Sequence, residues 1–462
     1  MPQREGRLNW PQTDWMIGQP IDRTRAHDGN MCFVVPGGGA RLPCVLRALH
    51  QLILRHESLR TVVRYDHHRR SGTQQVASPP RTPSDVEPLV TMVPGRVARD
   101  ALGEVRRTSF DLAAGWPLRV VLGLSGPAET VDEVGFVIDH SATDAWGAKV
   151  VHDDLRRYLS DPGACRASDD EVCQPLDLAA WEVSREGQRH LTRALRFWDA
   201  QVTRLGECLG DLVLDGAPPF DEADNEARYR SRWFTSRALL ASGQRAATRL
   251  RVPLSTVFLL AYGLSLCSLN KHPAIGILTL AMNRPSPPRQ RSAAKMFMQA
   301  PVVVRRPGER GLPELAADLA SQQMRAHMAA EADRLQVDAL IAERLPAAKS
   351  LDVMGAYFNF YTGAAEAPAD AEEDSRIHQG PERHRGAPLM LAVKQQQRDV
   401  RVTLTCRENT RWSAASHLLL RHIDDIVTAL GSGADGPLED DRPYRGHETA
   451  VGPAPGRPSP LR

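Results

Sequence analysis

The sequence predicts a mixed α/β protein built as two lobes, each with α+β layers. Short apolar runs of strand length alternate with amphipathic helical patterns in both halves of the chain. Residues 209–225, between these halves, are rich in Gly, Pro, Asp and Glu, as linkers often are. The length of 462 residues suffices for two or three domains with cores of their own. We therefore expect two lobes in which helices pack on sheets in two layers.

The first half of the chain carries a clear order of elements. Residues 32–36 predict a strand, and residues 42–56 predict a helix because Leu, Val and Ile recur at positions i, i+3, i+4 and i+7. A strand at 59–64 follows. Apolar runs at 118–122 and 134–138 flank a Gly/Pro turn and predict an antiparallel pair. Less regular stretches are expected elsewhere: a strand or turn at 8–16, a flexible turn at 37–40, and loop with a weak strand at 66–94.

The second half has a similar mixture of elements, without a repeat of sequence. Apolar and aromatic runs predict strands at 228–234, 275–281, 296–305, 354–362, 389–394 and 400–406. Helical patterns predict helices at 178–205, 237–251, 255–269, 315–330, 337–344 and 414–430. The acidic, Pro-rich stretch at 364–385 predicts an exposed loop.

These patterns give a predicted division of the chain. We expect an N-terminal lobe at 1–208, a linker at 209–227 and a C-terminal lobe at 228–430. Residues 431–462 are rich in Gly, Pro, Arg and Asp and have few large apolar side chains. Such a segment cannot bury enough apolar surface to fold, so we expect a disordered tail.

Charge and cysteine content argue against several classes of protein. The 58 basic and 56 acidic residues nearly balance, which predicts no general attraction to nucleic acid. The 7 cysteines are scattered and never form a C-x-x-C pair, which argues against a zinc site and a disulfide framework. The sequence has no apolar signal core and no apolar run of membrane-span length. We therefore expect a cytoplasmic monomer that binds neither a membrane nor a metal and holds no cofactor.

The chain is organised around one strand–turn–helix stretch that carries His140 and Asp144. The strand predicted at 134–138 leads into a polar turn, and apolar residues at helical spacing follow from Val150 to Tyr158. Side chains at the exit of a rigid strand are held firmly enough for chemistry. A histidine there can act as a general base near neutral pH, and an aspartate four residues later can fix the turn. The same H-x-x-x-D pattern also fits a core histidine that has hydrogen-bond partners within the protein and no catalytic role.

Further motifs accompany this stretch in a fixed order. They are Arg55-His-Glu-Ser-Leu-Arg-Thr61, Phe110-Asp-Leu-Ala-Ala-Gly-Trp-Pro-Leu-Arg119, Asp139-His-Ser-Ala-Thr-Asp144-Ala145, Leu176-Asp-Leu-Ala-Ala-Trp-Glu182, Met282-Asn-Arg284, and a strand that begins with Met296-Phe297. In these motifs the chain resembles the condensation domains of nonribosomal peptide synthetases, which are part of the chloramphenicol-acetyltransferase-like acyltransferase superfamily. The resemblance covers roughly residues 8–430.

The resemblance implies two chloramphenicol-acetyltransferase-like lobes in a V, with a substrate tunnel between them. It also implies an acyl thioester donor and a small-molecule acceptor whose amine or hydroxyl attacks the thioester. The donor would be carried on the phosphopantetheine of an acyl or peptidyl carrier protein, or on coenzyme A. His140 would accept the proton of the nucleophile or position it. Asp144 would be structural and pair with Arg60, while Gly147 and Asp139 would support the site and backbone N–H groups would stabilise the oxyanion.

The chain departs from the family pattern at several positions. Asp139 replaces the first of two histidines, and its carboxylate is expected to raise the pKa of His140. Ala145 stands in place of the motif glycine, with Gly147 two residues later, and Ala300-Pro301 replaces an Asn-Thr pair. These differences leave the expected fold intact and weaken the expectation of standard peptide-bond formation.

The sequence is compatible with three functions. The first is an acyltransferase that works in trans, as a free-standing condensation enzyme, and forms an amide or an ester. The second is a condensation-like protein that has lost catalysis and binds carrier proteins or recruits a partner enzyme. The third is an acyltransferase of the same fold that uses small acyl-coenzyme A and alcohol substrates. Basic residues at helical spacing would either receive a carrier protein or form a solvated face: Arg185, Arg189, Arg193 and Arg196.

Overall fold

A computed structural model describes residues 4–19, 29–95, 99–126, 130–161, 171–206, 228–307, 311–345, 355–363, 376–383 and 386–433. Helices and strands alternate through these ranges, so the predicted mixed α/β class is confirmed. The helices are α1 (Trp10–Ile17), α2 (Leu42–Arg55), α3 (Arg99–Arg107), α4 (Ala145–Ser160), α5 (Pro175–Val183), α6 (Arg185–Gly206), α7 (Arg237–Leu250), α8 (Leu254–Asn270), α9 (Pro287–Gln290), α10 (Leu312–Ala329), α11 (Arg334–Arg344), α12 (Arg411–Ala414) and α13 (Ser416–Ser432). The strands are β1 (Arg4–Arg7), β2 (Met31–Arg41), β3 (Thr61–Asp66), β4 (Ser71–Val76), β5 (Val90–Pro94), β6 (Leu118–Ser125), β7 (Thr130–Ile138), β8 (Tyr229–Ser236), β9 (Ala274–Ala281), β10 (Met298–Arg305), β11 (Ala356–Thr362), β12 (His378–Arg383), β13 (Leu389–Gln395) and β14 (Val400–Arg407).

The described strands form three sheets. One has the order β2-β7-β6-β5, and its strand β7 is antiparallel to both β2 and β6. A larger, mixed sheet has the order β10-β9-β11-β13-β14-β8-β12, and a small antiparallel sheet has the order β1-β4-β3. The predicted antiparallel pairing of β6 with β7 is therefore confirmed, and β13 is also antiparallel to β14.

The helices lie where apolar periodicity predicts them. Helix α2 buries Val45, Leu49 and Ile53 on one face, and that face packs on β2 and α4. Pro43 lies in its first turn, where the N–H that proline lacks would have had no partner within the helix. The apolar residues whose spacing predicted this helix are therefore the residues that it buries.

The N-terminal stretch at 8–16 is a correction to the sequence-based prediction. It forms α1 instead of a strand or turn. Asn9 and Gln12 form a reciprocal capping box, and Pro11 lies in the first turn. These local signals outweigh the aromatic content that suggested an extended segment.

Other stretches are more regular than the sequence indicated. The predicted turn at 37–40 continues β2 through an irregularity in register, where Gly38 and Gly39 adopt positive φ. Strands β4 and β5 lie within the predicted loop at 66–94, and β12 lies within the predicted loop at 364–385. Strands β4 and β12 have few apolar residues, so apolar alternation does not reveal them, and β5 is only five residues long.

The two larger sheets each carry an apolar core. Helices α2 and α4 cover the four-stranded sheet, whereas α7, α8, α10 and α13 enclose the core of the seven-stranded sheet. Helix α6 packs Leu191, Trp198 and Val202 into the latter core, although the predicted division places it in the N-terminal lobe. The predicted linker at 209–227 and residues 434–462 lie outside the described residues, so the domain bounds stay a prediction.

Taken singly, none of the described helices has the length and apolar character needed to cross a membrane. Helices α7 and α8 meet that criterion only as a pair, and they are bent by 100° at the break between them.

Candidate active site

The strand that leads to His140 is rigid because it is paired on both sides. Strand β7 is hydrogen-bonded to β2 and β6, and its residues Phe136 and Ile138 are fully buried. At the end of the strand, the N–H of Asp139 donates to the carbonyl oxygen of Pro117 at 2.9 Å. His140 therefore leaves the sheet from a fixed backbone.

The imidazole of His140 lies between two aromatic rings from distant parts of the chain. Its centroid is 4.6 Å from that of Trp15 in α1 and 5.1 Å from that of Phe297, just before β10. Its Nδ1 is 2.5 Å from the carbonyl oxygen of Thr143. Because a carbonyl only accepts, Nδ1 carries the proton of the neutral ring and Nε2 is unprotonated. The side chain is largely buried, with part of its surface open to solvent.

The surroundings of His140 keep it neutral. Burial and the nearby Lys295 ammonium lower its pKa from 6.5 to about 4. The hydrogen bond to Thr143 and the carboxylates of Asp144 and Asp139 act in the opposite direction. The Asp139 carboxylate therefore acts to raise the pKa of His140, as expected. The net shift of that pKa is downward because burial and Lys295 lower it by more.

Asp144 is the N-cap of α4 and joins the two halves of the chain. One carboxylate oxygen accepts from the N–H of Gly147 and from the guanidinium of Arg284, each at 2.8 Å. The other accepts from the N–H groups of Met296 and Phe297 at 2.8 and 3.1 Å. Burial would raise the pKa of Asp144, but Arg284 and these N–H donors lower it below its usual value. Asp144 is therefore a buried, ionised carboxylate.

The predicted pairing of Asp144 with Arg60 is wrong. The Arg60 guanidinium instead donates to the carbonyl oxygens of Ile53 at 3.3 Å and Ala77 at 2.5 Å. It also lies 3.6 Å from the carboxylate of Glu57. Arg60 therefore fastens the turn between α2 and β3 to the chain that follows β4, and its contribution to the site is indirect.

Arg284 is the partner that Asp144 uses, and both of its terminal nitrogens donate hydrogen bonds. It follows β9 and is buried with Asp144. Its guanidinium donates to the carbonyl oxygens of Arg289, Ser292 and Ala294 at 2.7, 2.8 and 2.7 Å. A planar guanidinium held by three carbonyls and one carboxylate has a fixed orientation. The ion pair consequently fixes α4 to the segment between β9 and β10.

Asp139 shapes the turn that presents His140. Its buried carboxylate accepts from the N–H of Ser141 at 2.8 Å, and its carbonyl oxygen accepts from the N–H of Ala142 at 3.0 Å. Both bonds lie within the turn between β7 and α4. This geometry fits the supporting role that the sequence suggested for Asp139.

Gly147 lies where α4 touches the segment before β10. A Cβ atom there would lie 2.1 Å from the carbonyl oxygen of Ala293 and 2.5 Å from Thr143 Oγ1. We expect Gly147→Ala to lower the free energy of unfolding by about 1–3 kcal/mol, because the backbone carbonyl must move. Urea denaturation followed by circular dichroism measures this. The matched control is Ala145→Gly at the exposed start of α4, with an expected loss of about 1 kcal/mol or less; equal losses for the two variants would contradict the contact.

Several contributors to the site were not assigned a role from the sequence. Arg284 and Phe297 lie within the motifs noted above, so the motifs signalled their presence without indicating their contacts. Trp15 belongs to the aromatic N-terminal stretch. The only feature of the sequence that draws attention to Lys295 is its residue type, since it is one of 5 lysines in an arginine-rich chain.

The four arginines noted on α6 are all solvent-exposed: Arg185, Arg189, Arg193 and Arg196. They lie on the side of α6 opposite the buried Leu191 and Trp198. This placement is compatible both with a face that receives a carrier protein and with an ordinary solvated face.

Comparison with known sequences gives a family for this architecture. The family model described as Condensation domain matches residues 12–430. Among curated proteins, nonribosomal peptide synthetase kk1B of Curvularia clavata is 28% identical over 185 residues. The alignment covers 38% of this chain and 1% of that protein, so the chain spans a very small part of its length.

Solved structures share the fold. The condensation domain that mediates chain release from the enacyloxin polyketide synthase has 18% identity and a TM-score of 0.67, over 92% of this chain and 82% of that chain. The first condensation domain of the calcium-dependent antibiotic synthetase has 14% identity and a TM-score of 0.65, over 94% and 98% of the two chains. The chloramphenicol-acetyltransferase-like fold expected from the motifs is therefore confirmed.

Proposed function

Because the chain belongs to the condensation-domain family, we propose that it catalyses acyl transfer with His140 as the acting residue. The observation that carries this proposal is the state of His140. Its Nε2 is unprotonated, its Nδ1–H is held by Thr143, and its ring is fixed between Trp15 and Phe297. A histidine held in one tautomer, and still partly accessible, can accept a hydrogen bond from a nucleophile.

The proposed reaction joins an acceptor to an acyl group. The amine or hydroxyl of a small-molecule acceptor attacks the carbonyl carbon of an acyl thioester. A C–N or C–O bond forms, the C–S bond breaks, and the thiol leaves with the proton that the acceptor loses. The thioester is carried on the phosphopantetheine of an acyl or peptidyl carrier protein, or on coenzyme A.

His140 acts in this scheme mainly by orienting the nucleophile. Its Nε2 accepts the hydrogen bond of the attacking N–H or O–H, and so directs the lone pair at the thioester carbonyl. A ring with a pKa of about 4 is a weak base, so it takes the proton only when bond formation has made that proton acidic. The Nδ1–H bond to Thr143 keeps the ring from turning while this happens.

The first turn of α4 is the proposed source of oxyanion stabilisation. The N–H of Gly147 donates to the Asp144 carboxylate, and the N–H of Ala148 donates to the Asp144 carbonyl. The N–H groups of Ala145 and Trp146 come earlier, where a helix provides no internal acceptor. They carry the positive end of the helix dipole and suit a developing negative charge.

The test is an acyl-transfer assay read by intact-mass spectrometry. Acyl-loaded carrier proteins and acyl-coenzyme A are offered separately with amine and alcohol acceptors. Wild type is compared with His140→Ala and with a control, His152→Ala, which removes a partly exposed histidine from α4. We expect transfer by wild type and by the control, and loss of transfer in His140→Ala.

The outcomes separate the three functions considered above. Transfer that survives His140→Ala would refute the role of His140. Transfer from acyl-coenzyme A to alcohols alone would favour the small-substrate acyltransferase. No transfer, together with tight carrier binding, would favour a catalytically inactive protein that binds carriers or recruits a partner enzyme.

A further inference from the structure

Lys295 is a buried lysine that the proposed reaction does not use. It lies between Arg284 and β10, and only 1% of its surface is exposed. A buried ammonium loses its hydration and needs hydrogen-bond partners in the protein. Lysine is also rare in this chain, with 5 in 462 residues, so its presence here is not a consequence of composition.

The ammonium of Lys295 is held by partners from two segments. Its Nζ donates to the carbonyl oxygen of Pro11 in α1 at 2.9 Å and to that of Phe297 at 3.1 Å. The same nitrogen lies 4.2 Å from the centroid of the Phe297 ring, a cation–π distance. Burial lowers the pKa of Lys295 below its usual value, and Asp14 in α1 and the Asp144 carboxylate partly offset this by favouring the charged form.

These two segments are the ones that enclose His140. Helix α1 supplies Trp15, and the segment before β10 supplies Phe297, whose ring centroids lie 4.6 and 5.1 Å from that of the imidazole. One ammonium therefore joins both walls of the His140 site. It also introduces a positive charge close enough to affect the imidazole.

The charged groups around His140 come from three elements. Asp139 lies at the end of β7 and Asp144 at the start of α4, while Lys295 lies before β10. The negative charge of Asp144 is paired with the Arg284 guanidinium at 2.8 Å. The Asp139 carboxylate accepts a hydrogen bond from a backbone N–H. Lys295 has no carboxylate among its hydrogen-bond acceptors, which are both carbonyls.

We propose that Lys295 is a positioning residue of this site, whose ammonium holds Trp15 and Phe297 against His140 and opposes positive charge on the imidazole. The inference rests on the proposed function for its consequence in catalysis. The imidazole stays neutral and ready to accept a hydrogen bond even in mildly acidic solution. The proton that it takes from a nucleophile is passed on quickly, because a protonated ring is destabilised beside a buried cation.

The test is a titration of His140 by NMR in the full chain, with the His140 signal assigned by its absence in His140→Gln. Lys295→Met removes the charge and keeps the length of the side chain, and Lys295→Gln keeps a hydrogen-bond donor without charge. We expect both variants to raise the pKa of His140 by about one unit or more, which is about a tenfold gain in proton affinity. The control is Lys149→Met, which removes an exposed lysine on α4 and should leave the titration unchanged.

A folded Lys295→Met variant with an unchanged His140 titration would overturn the proposal. If neither variant folds, the wild type decides, since a His140 pKa at or above 6.5 overturns the proposal and a value near 4 supports it. A second readout is acyl transfer at pH 5.5 relative to pH 7.5, which should fall more in Lys295→Met than in wild type. Because the titration needs no substrate, a chain that shows no acyl transfer would refute the proposed function without deciding this inference.

Discussion

Replacing Asp144 with asparagine is expected to lower the free energy of unfolding by about 3–5 kcal/mol. The change leaves the buried Arg284 guanidinium without its counter-charge, and it gives two backbone N–H donors and the cap of α4 a weaker acceptor. The cost arises because a buried charge cannot regain water when its partner is removed. Urea denaturation at pH 7.5, followed by circular dichroism, measures it.

A double-mutant cycle shows whether this loss belongs to the ion pair. Arg284→Met should cost a similar amount, because it leaves the Asp144 carboxylate unpaired. The double variant Asp144→Asn/Arg284→Met should be more stable than the sum of the two losses predicts, since it leaves no lone buried charge. A cycle that is additive within about 0.5 kcal/mol would contradict a direct pair.

Arg60 provides the matched control for the same cycle. Its guanidinium bonds carbonyl oxygens and approaches Glu57, so Arg60→Met should destabilise the protein without coupling to Asp144→Asn. We expect the losses of Arg60→Met and Asp144→Asn to add within about 0.5 kcal/mol. A coupling of 2 kcal/mol or more, on the order seen for direct contacts, would support the Asp144–Arg60 pairing that the structure contradicts.

The elements with strong apolar periodicity could be predicted from the sequence. Helix α2 and the strand pair β6–β7 each bury a continuous apolar face, and such faces follow from local spacing alone. Strand β12 could not be predicted in this way, since only Gly380 of its residues is buried. Its position depends on pairing with β8, which is about 150 residues away in sequence.

The candidate site was only partly predictable for a similar reason. The exit of a buried strand located His140, and the cap position located Asp144, because both are local features of the chain. The partner of Asp144 is 140 residues away, and the motifs contain four arginines without a local signal to choose between them. Lys295 acquires its role only when α1 folds against it, so nothing near it in sequence could indicate the contact with Pro11.

Lowering the pH from 7.5 to 5.0 is expected to lower the free energy of unfolding by roughly 2 kcal/mol through His140, because the unfolded chain takes up a proton there. The folded pKa is about 4, while the ordinary value is 6.5. Between these values the unfolded chain binds the proton and the folded chain does not, so stability falls as pH falls. The contribution is fully present above pH 6.5 and decreases by about 1.4 kcal/mol per pH unit below it.

The comparison of wild type with His140→Gln isolates this contribution. His56 and His327 also have lowered pKa values because of burial, so wild type will lose additional stability for reasons unrelated to His140. Urea denaturation of both proteins at pH 7.5, 6.5, 5.5 and 5.0 gives the difference between their pH dependences. We expect the stability of His140→Gln to decrease less steeply, so that its stability relative to wild type rises by roughly 2 kcal/mol at pH 5.0. Parallel pH dependences would mean that His140 titrates alike in the folded and unfolded chains, which would contradict the neutral imidazole inferred above for mildly acidic solution.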